Sequence, residues 1–222
     1  AWQIRGQQIA AMRSNWTAIN QPTDDDLEQA DLVCLVKKPD PRVIERARQM
    51  SKPLVFDIVD SWAQPEGGLK CTDTIKARDQ FAPAWQRIGA DGYIFPTRCM
   101  QKDLGALVRE KVTIYHHFWP QIQKNPVRER VAVVGYEGAD YLGEWRPRIE
   151  KACSDRGIRF VANPANYTDL DIAILARGGP HGNFLSRRYK SNVKLANAIG
   201  SGTPALVHFE EMSAHDLSLI HI

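Results

Sequence analysis

The sequence predicts an α/β protein made of two successive parallel-sheet domains. Short apolar runs alternate with helix-period patterns almost from end to end. The alternation breaks once, at FWPQIQKNPVRER, where two prolines and several charges interrupt it, and it restarts at VAVVGYEG. Strands that alternate with helices need crossover connections, so each series implies a parallel sheet covered on both faces.

The elements follow in order. A helix-like pattern spans Trp2 to Met12, with Arg5 and Gln7 near its start. DLVCLVKK (Asp31 to Lys38) reads as a strand, PRVIERARQM as a helix and PLVFDIVD (Pro53 to Asp60) as a second strand, which together make a βαβ unit. A glycine-containing loop through AQPEGG leads to a helix over TIKARDQFAPAWQRIG, the strand GYIFPT, a helix over MQKDLGALV and the strand KVTIYHH. After the break come the strand VAVVGYEG, a helix over EWRPRIEKACSDRG, the strands RFVAN and DIAILAR, a helix over LANAIG and the strand PALVHF. The predicted domains are therefore 1–118 and 131–216, with a linker at 119–130. The tail 217–222, LSLIHI, reads as a translated sequencing adapter and is excluded from fold reasoning. With a start at Ala1 inside a helix-like pattern, a preceding strand is expected, and the chain is read as a fragment incomplete at both ends.

Composition narrows the function classes. Of 222 residues, 43% are hydrophobic and 25% charged, as in an ordinary soluble globular protein. A net charge of +3 is too small for a general nucleic-acid binder, so the local clustering of cations carries more information. The four cysteines, Cys34, Cys71, Cys99 and Cys153, lack C-x-x-C spacing and are expected to be reduced and buried. No run reaches membrane-span length and no leader pattern opens the chain, so the expected location is cytoplasmic, with a peripheral membrane contact still open.

The chemistry concentrates at DIAILARGGPHGNFLSRRYKSNVKLANAIGSGTPALV. Arg177 ends a strand, a loop rich in small and polar residues follows, and Ser191 is the predicted N-cap of the next helix. Arg187, Arg188 and Lys190 crowd the approach to that helix, and Lys194 lies in its first turn. Cations at a helix N-terminus oppose its dipole, so an anion is expected among them. A strand end, a glycine-rich loop and free helix amides suit a phosphate or diphosphate, the alternative being a solvated basic loop. On the other domain, Asp60 ends an apolar strand and is a candidate base or hydroxyl ligand, or else a loop cap. His116 and His117 follow a strand at the linker and are further catalytic candidates, or else packed or solvated histidines. Trp62 and Trp119 are candidates for stacking on a sugar or base, or else core; Asp57 faces away from the cleft and is read as structural. No His and carboxylate cluster has convincing metal-site spacing, so no metal is expected.

KSNVKLANAIGSGTPALV with DIAILAR before it resembles the nucleotide-binding region of GT-B glycosyltransferases, in particular the family-4-like "glycosyl transferases group 1" set. GADGYIFPTRCMQKDL and KVTIYHHFWPQI also resemble these enzymes. The resemblance implies two Rossmann-like domains, a nucleoside diphosphate sugar held by the second and a saccharide, lipid-linked or other hydroxyl acceptor held by the first. It implies donor diphosphate contacts at Ser191, Asn192, Val193 and Lys194, with Arg177 approaching from the neighbouring strand, and no cofactor beyond the donor itself. Many members carry two glutamates where this chain has Tyr189 and Asn197, the positions that would face the ribose or sugar; Asn197 retains hydrogen-bonding capacity there. Tyr136, Glu137 and Gly138 stand where the family's usual Arg and Lys are found. The implied activity is metal-independent sugar transfer. The alternatives are a noncatalytic nucleotide-binding module of the same fold and a nucleotide-sugar epimerase; a sugar-binding two-domain receptor is a weaker one.

Overall fold

A computed structural model describes residues 2–60, 71–126, 128–138, 141–208 and 210. Trp62 and the tail 217–222 lie outside the described residues. A π-helical turn over Trp2–Gln7 runs into α1 (Gln8–Ala11), and a short α2 (Asp24–Gln29), which periodicity did not single out, follows. Thr23 and Asp26 form a reciprocal capping box at its start, a local signal strong enough to hold six residues in a helix.

The first sheet is parallel, in the order β1 (Val33–Val36), β2 (Leu54–Asp57), β3 (Gly92–Phe95), β4 (Glu110–Thr113). Its crossovers are α3 (Pro41–Gln49), α4 (Thr74–Ile88) and α5 (Arg98–Leu104). Each starts where a side chain accepts from a first-turn amide: Asp40 from Arg42, Asp73 from Lys76 and Thr97 from Met100. Along α4, Ala77, Phe81 and Trp85 recur at helical spacing and are buried against Phe56, Phe95 and Met100 of the first core.

The second sheet is parallel in the order β6-β5-β7-β8, from β5 (Val133–Tyr136), β6 (Arg159–Ala162), β7 (Ile172–Leu175) and β8 (Ala205–Val207). It carries α6 (Trp145–Ser154) and α8 (Val193–Ser201). Strand alternation divides β7 between two cores, Ile174 packing with Tyr136 and Cys153, and Ala173 and Leu175 with Leu170, Leu195 and Ala198. The protein is thus α/β, with two Rossmann-like parallel sheets.

Between β4 and β5 the chain is pinned to the second sheet. Trp119 N–H donates to Asn197 Oδ1 at 2.8 Å, and Asn125 N–H to the Ser201 carbonyl at 2.6 Å. Phe118 packs against α8 so closely that a Cβ at Gly200 would collide with its ring.

One segment departs from the order of the sequence. The loop expected after Arg177 contains α7 (Phe184–Tyr189), capped by Asn183. Although it lies between elements of the second sheet, its Leu185 and Tyr189 are fully buried in the core of the first. Asp103 of α5 receives Arg188, whose Nη2 lies 3.0 Å from Oδ1, and the Tyr189 hydroxyl at 2.9 Å. Helix α7 therefore clasps the two halves together.

Candidate functional site

In the second sheet, β5 is followed on one side by β6 and on the other by β7, so the chain reverses direction across the sheet between β5 and β7. A crevice opens at such a switch point beyond the carboxyl ends of the strands. Tyr136 and Glu137 lie at the end of β5, Arg177 lies two residues beyond β7, and the N-terminus of α8 faces them.

The side chains here are mutually engaged. Lys194 donates from Nζ to the Tyr136 hydroxyl at 2.8 Å and lies 3.9 Å from the centre of that ring. Burial, reinforced by the nearby Arg177, pushes the Lys194 ammonium down to about 8. Gly138, at φ 115°, lets Lys194 pass, since a Cβ there would stand 3.0 Å from its Nζ. Arg177 pairs with Glu210, whose burial raises its carboxyl above the usual range. Arg177, Ser191, Asn192, Lys194 and Glu210 border a cavity of about 10 Å³, room for one water-sized group.

Opposite stand the strand ends of the first sheet. Lys37 after β1 and Val59 after β2 adopt left-handed backbones at φ 64° and 66°. For a β-branched residue this is a strained conformation of the kind that clusters at functional sites. Between them Asp60 is 7% exposed, and its Oδ2 lies 3.4 Å from Lys37 Nζ and 3.8 Å from Lys190 Nζ. Lys190, just beyond α7, is pushed down to about 8 by burial, against which Asp60 pulls it up. His116 donates from Nε2 to the Val59 carbonyl at 3.2 Å, which fixes its tautomer, while its buried Nδ1 has no hydrogen-bond partner among the described residues. Burial first, and the Arg5 guanidinium second, bring His116 down to about 4. It is therefore neutral at physiological pH.

Several expectations are corrected. The N-cap position of α8 is Asn192 rather than Ser191, and its side chain makes no capping hydrogen bond; Ser191 is buried one residue earlier and Val193 opens the helix. Tyr189 does not face a sugar, because the first core encloses its ring and Asp103 holds its hydroxyl. Asn197 is not aimed at a ribose: its Oδ1 takes the Trp119 amide and its Nδ2 lies 3.2 Å from both Glu137 oxygens. His117 is exposed, stacked on Phe118 at 4.0 Å and within 3.0 Å of Gln8 Nε2, apart from the cations. Asp57 is structural as expected, bound by Arg5 Nε at 2.7 Å. Cys71, Cys99 and Cys153 are buried free thiols, whereas Cys34 is only half-buried.

The basic cluster of the sequence is also dispersed. Arg188 turns to Asp103, Lys190 to Asp60, Arg177 to Glu210 and Lys194 to Tyr136, while Arg187 is exposed. Glu210, Lys37 and Asp103 were missed because a lone acid or lysine beside a strand or on a helix carries no pattern. A larger groove of about 710 Å³ runs past Arg128, Val133, Arg159 and Asp171. It lies largely at the amino ends of the strands, where Asp171 already accepts from Arg128 and two backbone amides, so the crevice at the carboxyl ends is the better candidate. Among the described residues no helix is long and apolar enough to cross a membrane.

No family model and no curated protein sequence matches the chain. Among solved structures, it is similar to a crystal structure of accessory secretory protein 1, 2 and 3 in Streptococcus pneumoniae, with a TM-score of 0.47 and 10% identity over 84% of this chain and 43% of that one. It is also similar to the apo form of the lipopolysaccharide outer core galactosyltransferase WaaB, with a TM-score of 0.43 and 9% identity over 82% of this chain and 58% of that one. The chain thus spans about half the length of each of these two structures.

Proposed function

We propose that this chain binds a nucleoside diphosphate sugar at the switch-point crevice of its second sheet and takes part in sugar transfer to a hydroxyl acceptor held by the first. The observation that carries this reading is the meeting of Arg177, Lys194 and the uncapped amides of α8 at that crevice. A diphosphate there would meet two cations and a helix N-terminus, the arrangement that stabilises a departing diphosphate without a metal.

In the transfer, the acceptor oxygen forms a bond to the anomeric carbon as the bond from that carbon to the diphosphate oxygen breaks. The diphosphate leaves with the electron pair, and the acceptor proton passes to a base. Asp60 is the proposed base, as the buried carboxylate at the facing strand ends. His116 acts through position, holding the Val59 carbonyl and with it the turn that presents Asp60.

Calorimetric titration with uridine, guanosine and adenosine diphosphates tests the donor site. One of them is expected to bind saturably, and Arg177→Ala to weaken it by about 1.5–3 kcal/mol, the range for hydrogen bonds to charged groups. Failure of all three to bind overturns the reading.

A noncatalytic nucleotide-binding module is favoured by a separate observation. The two positions where carboxylates are usual, Tyr189 and Asn197, are absorbed into packing and linker contacts. Nucleotide binding without donor hydrolysis or transfer would select this second reading.

A further inference from the structure

The seat that suits an external anion already holds one from the chain. Glu210, three residues beyond β8, is 4% exposed and accepts from Arg177 through Oε2. Lys194 also lies close enough to attract it. Its other oxygen, Oε1, is buried with no hydrogen-bond partner among the described residues. The space left beside Arg177, Ser191 and Lys194, about 10 Å³, is far too small for a phosphate group while the carboxylate stays in place. A buried acceptor with half its capacity unmet is a costly resting partner, and native structures rarely keep one without a reason.

We infer that Glu210 is an internal competitor for the donor's phosphates, and that it makes the crevice prefer a diphosphate to a monophosphate. The inference rests on the donor-site reading above. A carboxylate tethered next to Arg177 competes at high effective concentration. A monophosphate only exchanges one anion for another at Arg177. A diphosphate spans Arg177 and Lys194 together, so it gains a direct contact with Lys194, which Glu210 attracts without a hydrogen bond or ion pair among the described residues. The carboxylate thus acts as a threshold on ligand charge.

The test is calorimetric titration of inorganic pyrophosphate and inorganic phosphate into the wild-type chain, Glu210→Gln and Glu210→Asp at neutral pH. Glu210→Gln keeps the shape and removes the charge; it is expected to bind pyrophosphate about tenfold more tightly, the scale of one charged hydrogen bond regained. Phosphate should gain more than pyrophosphate, so the preference narrows. Glu210→Asp keeps the charge but draws back from Arg177, and should fall between the two; it carries the test if Glu210→Gln melts before titration. Unchanged or weaker pyrophosphate binding in the variants, with binding intact in the wild type, overturns the role of Glu210 and leaves the donor site standing. No binding by the wild type or either variant overturns the donor site itself.

Discussion

Lys190 Nζ lies 3.8 Å from Asp60 Oδ2, joining the segment before α8 to the end of β2 and so the two sheets across the crevice. Lys37 reaches the same carboxylate oxygen at 3.4 Å from within the first sheet. Asp60 is therefore both the proposed base and a bridge between the domains, and the two roles separate by measurement. Asp60→Asn should lower sugar transfer about 10²-fold or more, the usual contribution of a general base, while nucleoside diphosphate affinity changes little. Transfer at the wild-type rate would leave Asp60 as a bridge alone.

Lys194 gives the donor site a pH signature. Its ammonium is pushed down to about 8, so a growing share of the side chain is neutral above that pH. A bound diphosphate favours the charged form. Affinity for a nucleoside diphosphate should accordingly fall as pH rises through about 8, and Lys194→Met should flatten that dependence. The same depression bears on folding. Between pH 8 and the ordinary lysine value of 10.5 the unfolded chain binds the extra proton, so Lys194 and Lys190 both make stability rise with pH in that window. Denaturant titrations at either end of the window, on wild type and Lys194→Met, read the difference; an identical pH slope in the two proteins contradicts it.

Helix α7 makes the first core depend on a segment from the second half of the sequence. Leu185→Ala should cost about 2–5 kcal/mol, as for other fully buried leucines. Hydrogen exchange should then quicken in α4 and α5 rather than in α6. Faster exchange confined to the second sheet would show that the clasp is not formed in solution.

Asn197 separates packing from ligand binding. Asn197→Leu strands the half-buried Trp119 amide and leaves Glu137 only the Tyr167 hydroxyl among the described residues, so stability should drop by about 1–3 kcal/mol, the cost of an unmet polar group. Nucleoside diphosphate affinity should stay within about threefold, below the roughly 1.5–3 kcal/mol of a hydrogen bond to a charged group. A tenfold loss of affinity at unchanged stability would restore Asn197 to the donor site.

Much of the architecture was legible before any coordinates. The alternation of apolar runs with helical periods specifies parallel sheets because only burial on both faces suits such strands. Asp40, Asp73 and Thr97 stand where helices begin because an unpaired first-turn amide needs a nearby oxygen, and that need is local. Arg177 and Lys194 at the crevice follow from the same local reasoning, since a strand end and a helix start lie on either side of one loop.

The partners of those charges were decided by tertiary structure alone. Arg188 meets Asp103 across 85 positions, and Arg177 meets Glu210 across 33. Periodicity reports that a side chain is buried or exposed, not which distant group it faces. The basic cluster in the sequence therefore called for an anion, and it took the folded chain to show that Asp103, Asp60 and Glu210 supply carboxylates to three of its members. Tyr189 illustrates the same limit: its apolar ring marks it for burial, but only the path of α7 between the sheets places it in the first core rather than the second.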